Sequence, residues 1–258
     1  MKSKEFLVEL NRRGLVPGPD ETEATFFARC DRAIPLTEPP LSPLSQQLFG
    51  TLPDWIEVQY QTKGLRFWEA ACTWIEGNSI RLQLHPTLLE KKKYWGYRKE
   101  EIIAHEFVHA VRGQFDEPIF EEILAYRTSS SPFRRYWGPL LRTAKESLYA
   151  VLALLTCTIA FFFDPLGLTL WCAAVGLLGL AIYRLVKAQR TFKRALHHIS
   201  QLVGLANALA VMLRLTDKEI ICFSKMDPEK ISAYMIKMAK THIRWQQIRA
   251  AYFESSRF

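Results

Sequence analysis

Apolar and polar positions along the first thirty residues repeat with the period of a helix. Residues 3–13 read as a short amphipathic helix that Gly14 and Pro17 end. A second helix is expected over about 21–32, with Asp20 as its N-cap and Glu23 completing a capping box. Residues 34–53, rich in Pro, Ser and Leu, read as an irregular linker. The period then shortens to two. Residues 55–61 alternate, 65–75 are aromatic and β-compatible, and 79–85 alternate strictly, with a tight turn at Glu76-Gly77-Asn78 and Pro86 ending the last strand. These segments predict a small, mainly antiparallel sheet. Helical period returns over about 98–112, where Ile102, Ile103, Phe107, Val108 and Val111 make the apolar side and Gly113 suits a C-cap. Pro118 opens a further helix to about Thr128, with Asp116 or Glu117 at its cap, and Ser129-Ser-Ser-Pro132 breaks it.

Beyond that point the pattern loses its polar face. Residues 148–163 carry no charge, nor do residues 166–183, and Asp164-Pro165 separates the two runs. Each is at the short end of what crosses a bilayer core of ~30 Å, and together they predict a transmembrane helical hairpin within 140–190, at about 147–163 and 166–184. Arg134, Arg135, Arg142 and Lys145 precede it; Arg184, Lys187, Arg190, Lys193 and Arg194 follow it. The positive-inside rule then puts both termini in the cytoplasm. Residues 191–258 read as wholly helical: one helix continuing toward Leu215, a second capped by Thr216-Asp217, and a third starting at Asp227-Pro228. The predicted fold class is α+β: an N-terminal helical segment and linker (1–50), a domain of sheet and helices (51–132), the membrane hairpin, and a cytoplasmic helical region.

Composition changes this picture little. A net charge of +8 raises nucleic acid or an anionic membrane as partners, but much of the basic excess flanks the apolar runs and forms no single stripe. A cytoplasmic bundle is therefore preferred to a helix-turn-helix DNA binder for 191–258, and nucleic acid is disfavoured as a partner. The five cysteines, Cys30, Cys72, Cys157, Cys172 and Cys222, are odd in number, scattered and without a Cys-x-x-Cys pair. That argues against a disulfide framework and against a thiolate metal site, and agrees with a reducing compartment. The N-terminal stretch has no apolar core long enough for a secretory signal.

The chemistry concentrates in His105-Glu106-Phe107-Val108-His109. On a helix, positions i and i+4 share a face, so two imidazoles can occupy two corners of a zinc tetrahedron. Glu106 emerges beside the first histidine and can act as catalytic base without being a ligand. A third ligand is expected from Glu121-Glu122. His109 lies four residues before Gly113 and Glu122 four after Pro118, each ~6 Å from the turn at ~1.5 Å per residue, so a helical hairpin sets them level. Glu122 borders the apolar arc of Ile119, Ile123 and Tyr126 and is preferred; Glu121 is the alternative.

This region, about residues 54–130, resembles the zincin metallopeptidases, specifically the gluzincins, whose third zinc ligand is a glutamate in a Glu-x-x-Ala/Ser-Asp-like segment of the next helix. Glu122 matches, because Ala125 falls three residues later. Tyr126 stands where the family has an aspartate that supports a zinc histidine, so that support would come from Tyr126 or from elsewhere. The resemblance implies zinc held by His105, His109 and Glu122, with Glu106 as base. Other owners of the motif fit less well: Cys72 lacks the Glu-Gly-Cys context of peptide deformylases, position 115 is Phe where metzincins need His, and Arg98, Lys99, Glu100 and Glu101 make the motif helix too polar for an intramembrane protease.

The expected function is a membrane-anchored zinc endopeptidase acting on peptide or protein substrates near the bilayer, with an extended substrate held by strand addition along residues 79–85 as an edge strand. The alternative is a non-catalytic membrane scaffold. Arg127 or Tyr126 is a candidate oxyanion stabiliser. His85 and the pair His197-His198 read as solvated, and Lys91-Lys92-Lys93 as a charged loop able to meet anionic lipid.

Overall fold

The structure, a computed structural model, describes residues 3–40, 42–66, 69–76, 79–140, 144–163 and 167–253. The expected turns at Gly77-Asn78 and Asp164-Pro165, and the residue Arg142, lie outside the described residues.

Helix α1 (Lys4–Arg12) starts at Ser3, whose hydroxyl accepts the Phe6 N–H. Helix α2 (Glu23–Cys30) is shorter than expected, and its cap is Thr22, not Asp20. Glu21 accounts for the difference. Its carboxylate accepts the Gly18 N–H and pairs with Arg29 at 2.7 Å, which holds residues 18–21 outside the helix. The stretch expected to be an irregular linker contains helix α3 (Pro43–Phe49). Ser42 caps it, Pro43 occupies its first turn, and Gly50 ends it in the left-handed region at φ 65°. Both a Ser-Pro start and a Gly stop are helix punctuation.

Strands β1 (Glu57–Tyr60), β2 (Ala71–Glu76) and β3 (Ser79–Leu84) form one sheet in the order β1-β3-β2. β2 and β3 are antiparallel, from Ala71↔Leu84 to Glu76↔Ser79, whereas β1 runs parallel to β3. Residues 79–84 are therefore the central strand, not an edge. Ile80, Leu82 and Leu84 alternate onto one face of the sheet, and all three are buried there. The edges are β1 and β2. After a single helical turn, α4 (Thr87–Glu90), an antiparallel ribbon follows, β4 (Lys93–Tyr94) and β5 (Tyr97–Arg98).

Helix α5 (Lys99–Val111) lies between two cores. Ile102, Ile103, Phe107 and Ala110 pack with Ile56, Ile80, Leu82, Leu84 and Leu88 on the sheet side. Val108 and Val111 pack on the other side, in a larger core that also takes in Phe49, Phe115, Phe120, Phe192, Phe223 and Trp245. A helix apolar on two flanks has only a narrow stripe left for polar groups, and His105, Glu106 and His109 use it. Gly113 after this helix is not left-handed; that conformation falls at Asp116, φ 48°. Gly113 instead makes room, since a Cβ there would meet the Ile75 and Ile80 side chains at 3.1 and 3.2 Å.

Helix α6 (Glu121–Ala125), prolonged by a 3-10 turn over Tyr126–Thr128, begins three residues later than Pro118 suggested. The N–H groups of Ile119 and Phe120 donate instead to the Asp217 carboxylate at 2.7 and 3.2 Å, and Glu117 accepts the Asp217 N–H. Helices α7 (Pro132–Trp137) and α8 (Ala144–Phe163) come next, then α9 (Gly167–Val203). Among the described residues α9 is the one helix long and apolar enough to cross a membrane; the apolar part of α8, Tyr149–Phe162, is shorter. The halves of α9 differ. Leu168, Leu170, Leu177 and Leu180 are exposed, whereas Ala188, Phe192, Ala195, Ile199 and Val203 are buried in the larger core. Gly204, at φ 80°, ends α9 before Leu215 is reached.

Helices α10 (Leu205–Met212), α11 (Asp217–Phe223), α12 (Pro228–Met238) and α13 (Ile243–Tyr252) complete that core. The expected cap at Thr216 is in place as a full capping box with Glu219, and α12 starts at Asp227-Pro228 as expected, with no capping hydrogen bond to the Asp227 side chain. Glu219 is also the anchor of the bundle. It accepts from both terminal nitrogens of Arg244 at 2.8 Å and from the Trp245 indole at 3.2 Å. Burial alone would raise the Glu219 carboxyl, but the Arg244 hydrogen bonds and charge outweigh it and hold the group below the ordinary glutamate value of 4.5. A depressed folded-state value stabilises above the unfolded one and ceases to do so as pH falls through it. Stability is therefore expected to drop below about pH 4. Glu219→Gln, which leaves Arg244 buried without its counter-charge, should cost about 3 kcal/mol near neutral pH and flatten that acid limb. Urea unfolding of the purified chain between pH 3 and 7 measures both.

Candidate metal centre

His105 and His109 leave α5 one turn apart, and Glu122 comes from the first turn of α6. Their donor atoms all lie within 4.8 Å of one another. The two Nε2 atoms are 3.3 Å apart. Glu122 Oε1 is 3.5 Å from His109 Nε2, and its Oε2 is 3.8 Å from His105 Nε2. Among the described residues this is the one such cluster of three potential ligands. A tetrahedral zinc ion ~2.0–2.1 Å from each donor needs donors ~3.3 Å apart, so two imidazoles and a carboxylate at these separations fit that ion with small side-chain adjustments.

Glu121, the alternative third ligand, stands elsewhere. Its Oε1 is 2.7 Å from His109 Nδ1, and Arg112 Nε lies 3.7 Å from its Oε2. A proton on Nδ1 shared with Glu121 fixes the tautomer and leaves the Nε2 lone pair facing Glu122 and His105. Glu121 thus gives His109 the carboxylate support that the Tyr126 position lacks. Arg112 is wholly buried, donates to the Leu213 and Leu215 carbonyls at 2.8 and 3.0 Å, and ties this corner to the C-terminal helices.

His105 packs against Tyr126, whose ring meets the imidazole edge-on at 4.9 Å. Gly138 makes that possible, because any Cβ there would overlap the Tyr126 ring. Arg127 turns away: it donates to Gln189 and stacks on Phe192 of α9. It is not placed to serve an oxyanion. His85 stacks on Tyr94 at 4.6 Å, and His198 hydrogen-bonds the Phe223 carbonyl, so neither joins the cluster.

Glu106 belongs to the same stripe and is held by the edge strand. The Thr73 hydroxyl lies 2.8 Å from Glu106 Oε2 and 3.1 Å from the Glu106 carbonyl. Thr73 was not singled out in the sequence, because its role depends on how the sheet seats against α5.

The pocket is electrostatically uneven. Burial pushes His105 down to about 3, and the neighbouring His109 charge acts in the same direction. Burial also opposes charge on His109, but the Glu121 hydrogen bond and the Glu122 and Glu106 carboxylates prevail and lift it to about 9. Glu122 is pushed up to about 7 by burial, and Glu106 is raised for the same reason against the pull of His109 and Thr73. Three carboxylates lie around two largely buried imidazoles, so positive charge among them is favoured.

Compared with protein-family models, with characterised proteins and with solved structures, the chain matches none.

Proposed function

We propose that the chain is a zinc-dependent endopeptidase anchored in a membrane, with zinc held by His105, His109 and Glu122. The observation that carries this reading is the spacing of those three donor groups beside a non-ligating glutamate held by Thr73. When bound, zinc would supply a Lewis-acid charge that acidifies water and polarises a peptide carbonyl. Thr73 engages Oε2 of Glu106, so Oε1 is the oxygen that takes a proton from the attacking water and returns it to the leaving amine. Glu121 orients His109 and the Tyr126 ring orients His105, which limits the motion of both rings during turnover. An extended substrate would add to the edge strand β2, not β3. That strand carries Thr73, and its Trp74 and Ile75 are exposed.

The membrane half of the proposal is a two-helix hairpin of α8 and α9 with both termini and the catalytic part in the cytoplasm. Its support is the exposed apolar surface of α8 and of the first half of α9, including Leu152, Leu155, Ile159, Phe162 and Leu177, together with basic residues on both flanks. Phe161 and Trp171 lie 6.3 Å apart across the two helices. A scaffold with a displaced third carboxylate is the rival reading, and the 3.5 and 3.8 Å separations of Glu122 weigh against it.

The test is hydrolysis of unstructured peptides by the full chain in lipid nanodiscs. Activity should vanish with a zinc chelator and return on adding zinc; hydrolysis that survives complete removal of metal would overturn the proposal.

A further inference from the structure

The ribbon β4–β5 carries features that packing does not explain. Its turn residues Trp95 and Gly96 are both left-handed, at φ 46° and 80°. That turn favours Asn or Gly at its first position, and a bulky side chain there is costly. Yet Trp95 is 70% exposed, with the adjacent Tyr94 ring stacked at 6.3 Å and most of its surface left open. Behind it Lys93 stands directly opposite Arg98 in the ladder, a like-charge pair that weakens the ribbon. Among the described residues Arg98 has one partial ion-pair partner, Glu100 at 3.5 Å. Lys91, Lys92 and Lys93 are all exposed and make no ion pair among the described residues. Costly local choices without an internal return point to something outside the molecule.

The ribbon is also fastened to the segment that leads into α8. Arg134 of α7 donates to the Gly96 carbonyl at 3.2 Å and lies over the Tyr97 ring at 4.2 Å. Its neighbour Phe133 is 70% exposed. From Trp137, the end of α7, to Ala144, the start of α8, the chain cannot span more than about 25 Å even fully extended. A membrane that takes up α8 therefore lies close to α7 and the ribbon.

We infer that the ribbon and α7 form a docking surface for an anionic bilayer, with Trp95 and Phe133 entering the interface and Lys91, Lys92, Lys93 and Arg98 meeting lipid headgroups. This rests on the membrane reading of α8 and α9. Tryptophan favours the headgroup region, where one end of the ring is apolar and the other wet. Basic clusters beside a membrane helix on the cytoplasmic side meet acidic lipid. Since α5 follows directly on Arg98, His105 and His109 lie within about 17 Å of the ribbon along that helix. Docking would hold the metal centre at a set height above the bilayer, so the substrate class is polypeptide just outside the membrane.

The experiment uses the full chain in nanodiscs made with brominated acyl chains, either phosphatidylcholine alone or with about a third phosphatidylserine. A dansyl-bearing amino acid is placed at position 95 and, separately, at position 177 of α9. Position 177 should be quenched in both lipids. Position 95 should be quenched strongly only with phosphatidylserine, and 0.5 M salt should relieve it. Each Lys→Gln change at 91, 92 and 93 should lower the docked fraction relative to the undocked by roughly fivefold, and all three by on the order of a hundredfold. Quenching at 177 with none at 95 would overturn the docking surface and leave the membrane reading standing. No quenching at either position would overturn both. Equal quenching at 95 in both lipids, unmoved by the lysine changes, would overturn the assignment to anionic headgroups.

Discussion

Replacing Glu106 by glutamine is expected to lower peptide hydrolysis by roughly 10²–10⁴-fold while leaving the zinc content unchanged. The change keeps shape and volume, and the Thr73 hydroxyl, which sits 2.8 Å from Oε2, can hydrogen-bond an amide as well as a carboxylate. On the proposed mechanism, what is lost is the ability to accept a proton from water at Oε1. Because Glu106 is not one of the three clustered donors, the metal should stay. The loss should appear in kcat, with KM little affected, as for a group needed only in the transition state. An unchanged rate would remove Glu106 from the chemistry. A rate lost together with the zinc would instead make it a ligand.

The second large effect concerns the two adjacent glutamates. Glu122→Ala removes one of three donors and should weaken zinc binding by well over a hundredfold, whereas Glu121→Gln disturbs only the orientation of His109 and should cost about 10–100-fold. The contrast follows from 3.5 and 3.8 Å separations to the two Nε2 atoms for Glu122, against a 2.7 Å contact to Nδ1 for Glu121. Competition with a chromogenic chelator measures both affinities. The reverse order would exchange their roles.

The pairing of His105 and His109 was legible because a helix converts a spacing of four into a shared face, and nothing distant can undo that. Glu122 was legible through turn geometry even though its helix starts at Glu121 and not at Pro118. The reason for that later start, Asp217 accepting the Ile119 and Phe120 N–H groups, lies almost a hundred residues away and leaves no local mark. Glu121 as the support of His109 was not legible for a related cause: one residue's offset around a short helix decides which imidazole nitrogen it meets. Thr73 depended on the seating of β2 against α5. The central place of β3 depended on a parallel pairing with β1, which alternation alone does not reveal. Helix α3 is a different case. Ser42, Pro43 and Gly50 carried its start and stop, and the density of Pro and Ser around them masked both.

The central claim is the zinc site, and X-ray absorption at the zinc edge of the purified chain tests it most directly. The account predicts about one zinc per chain, with a nitrogen and oxygen shell at ~2.0–2.2 Å and imidazole scattering from two histidines that falls by half in His109→Ala. A chain that binds no zinc, or one whose zinc shows sulfur at ~2.3 Å, would contradict it.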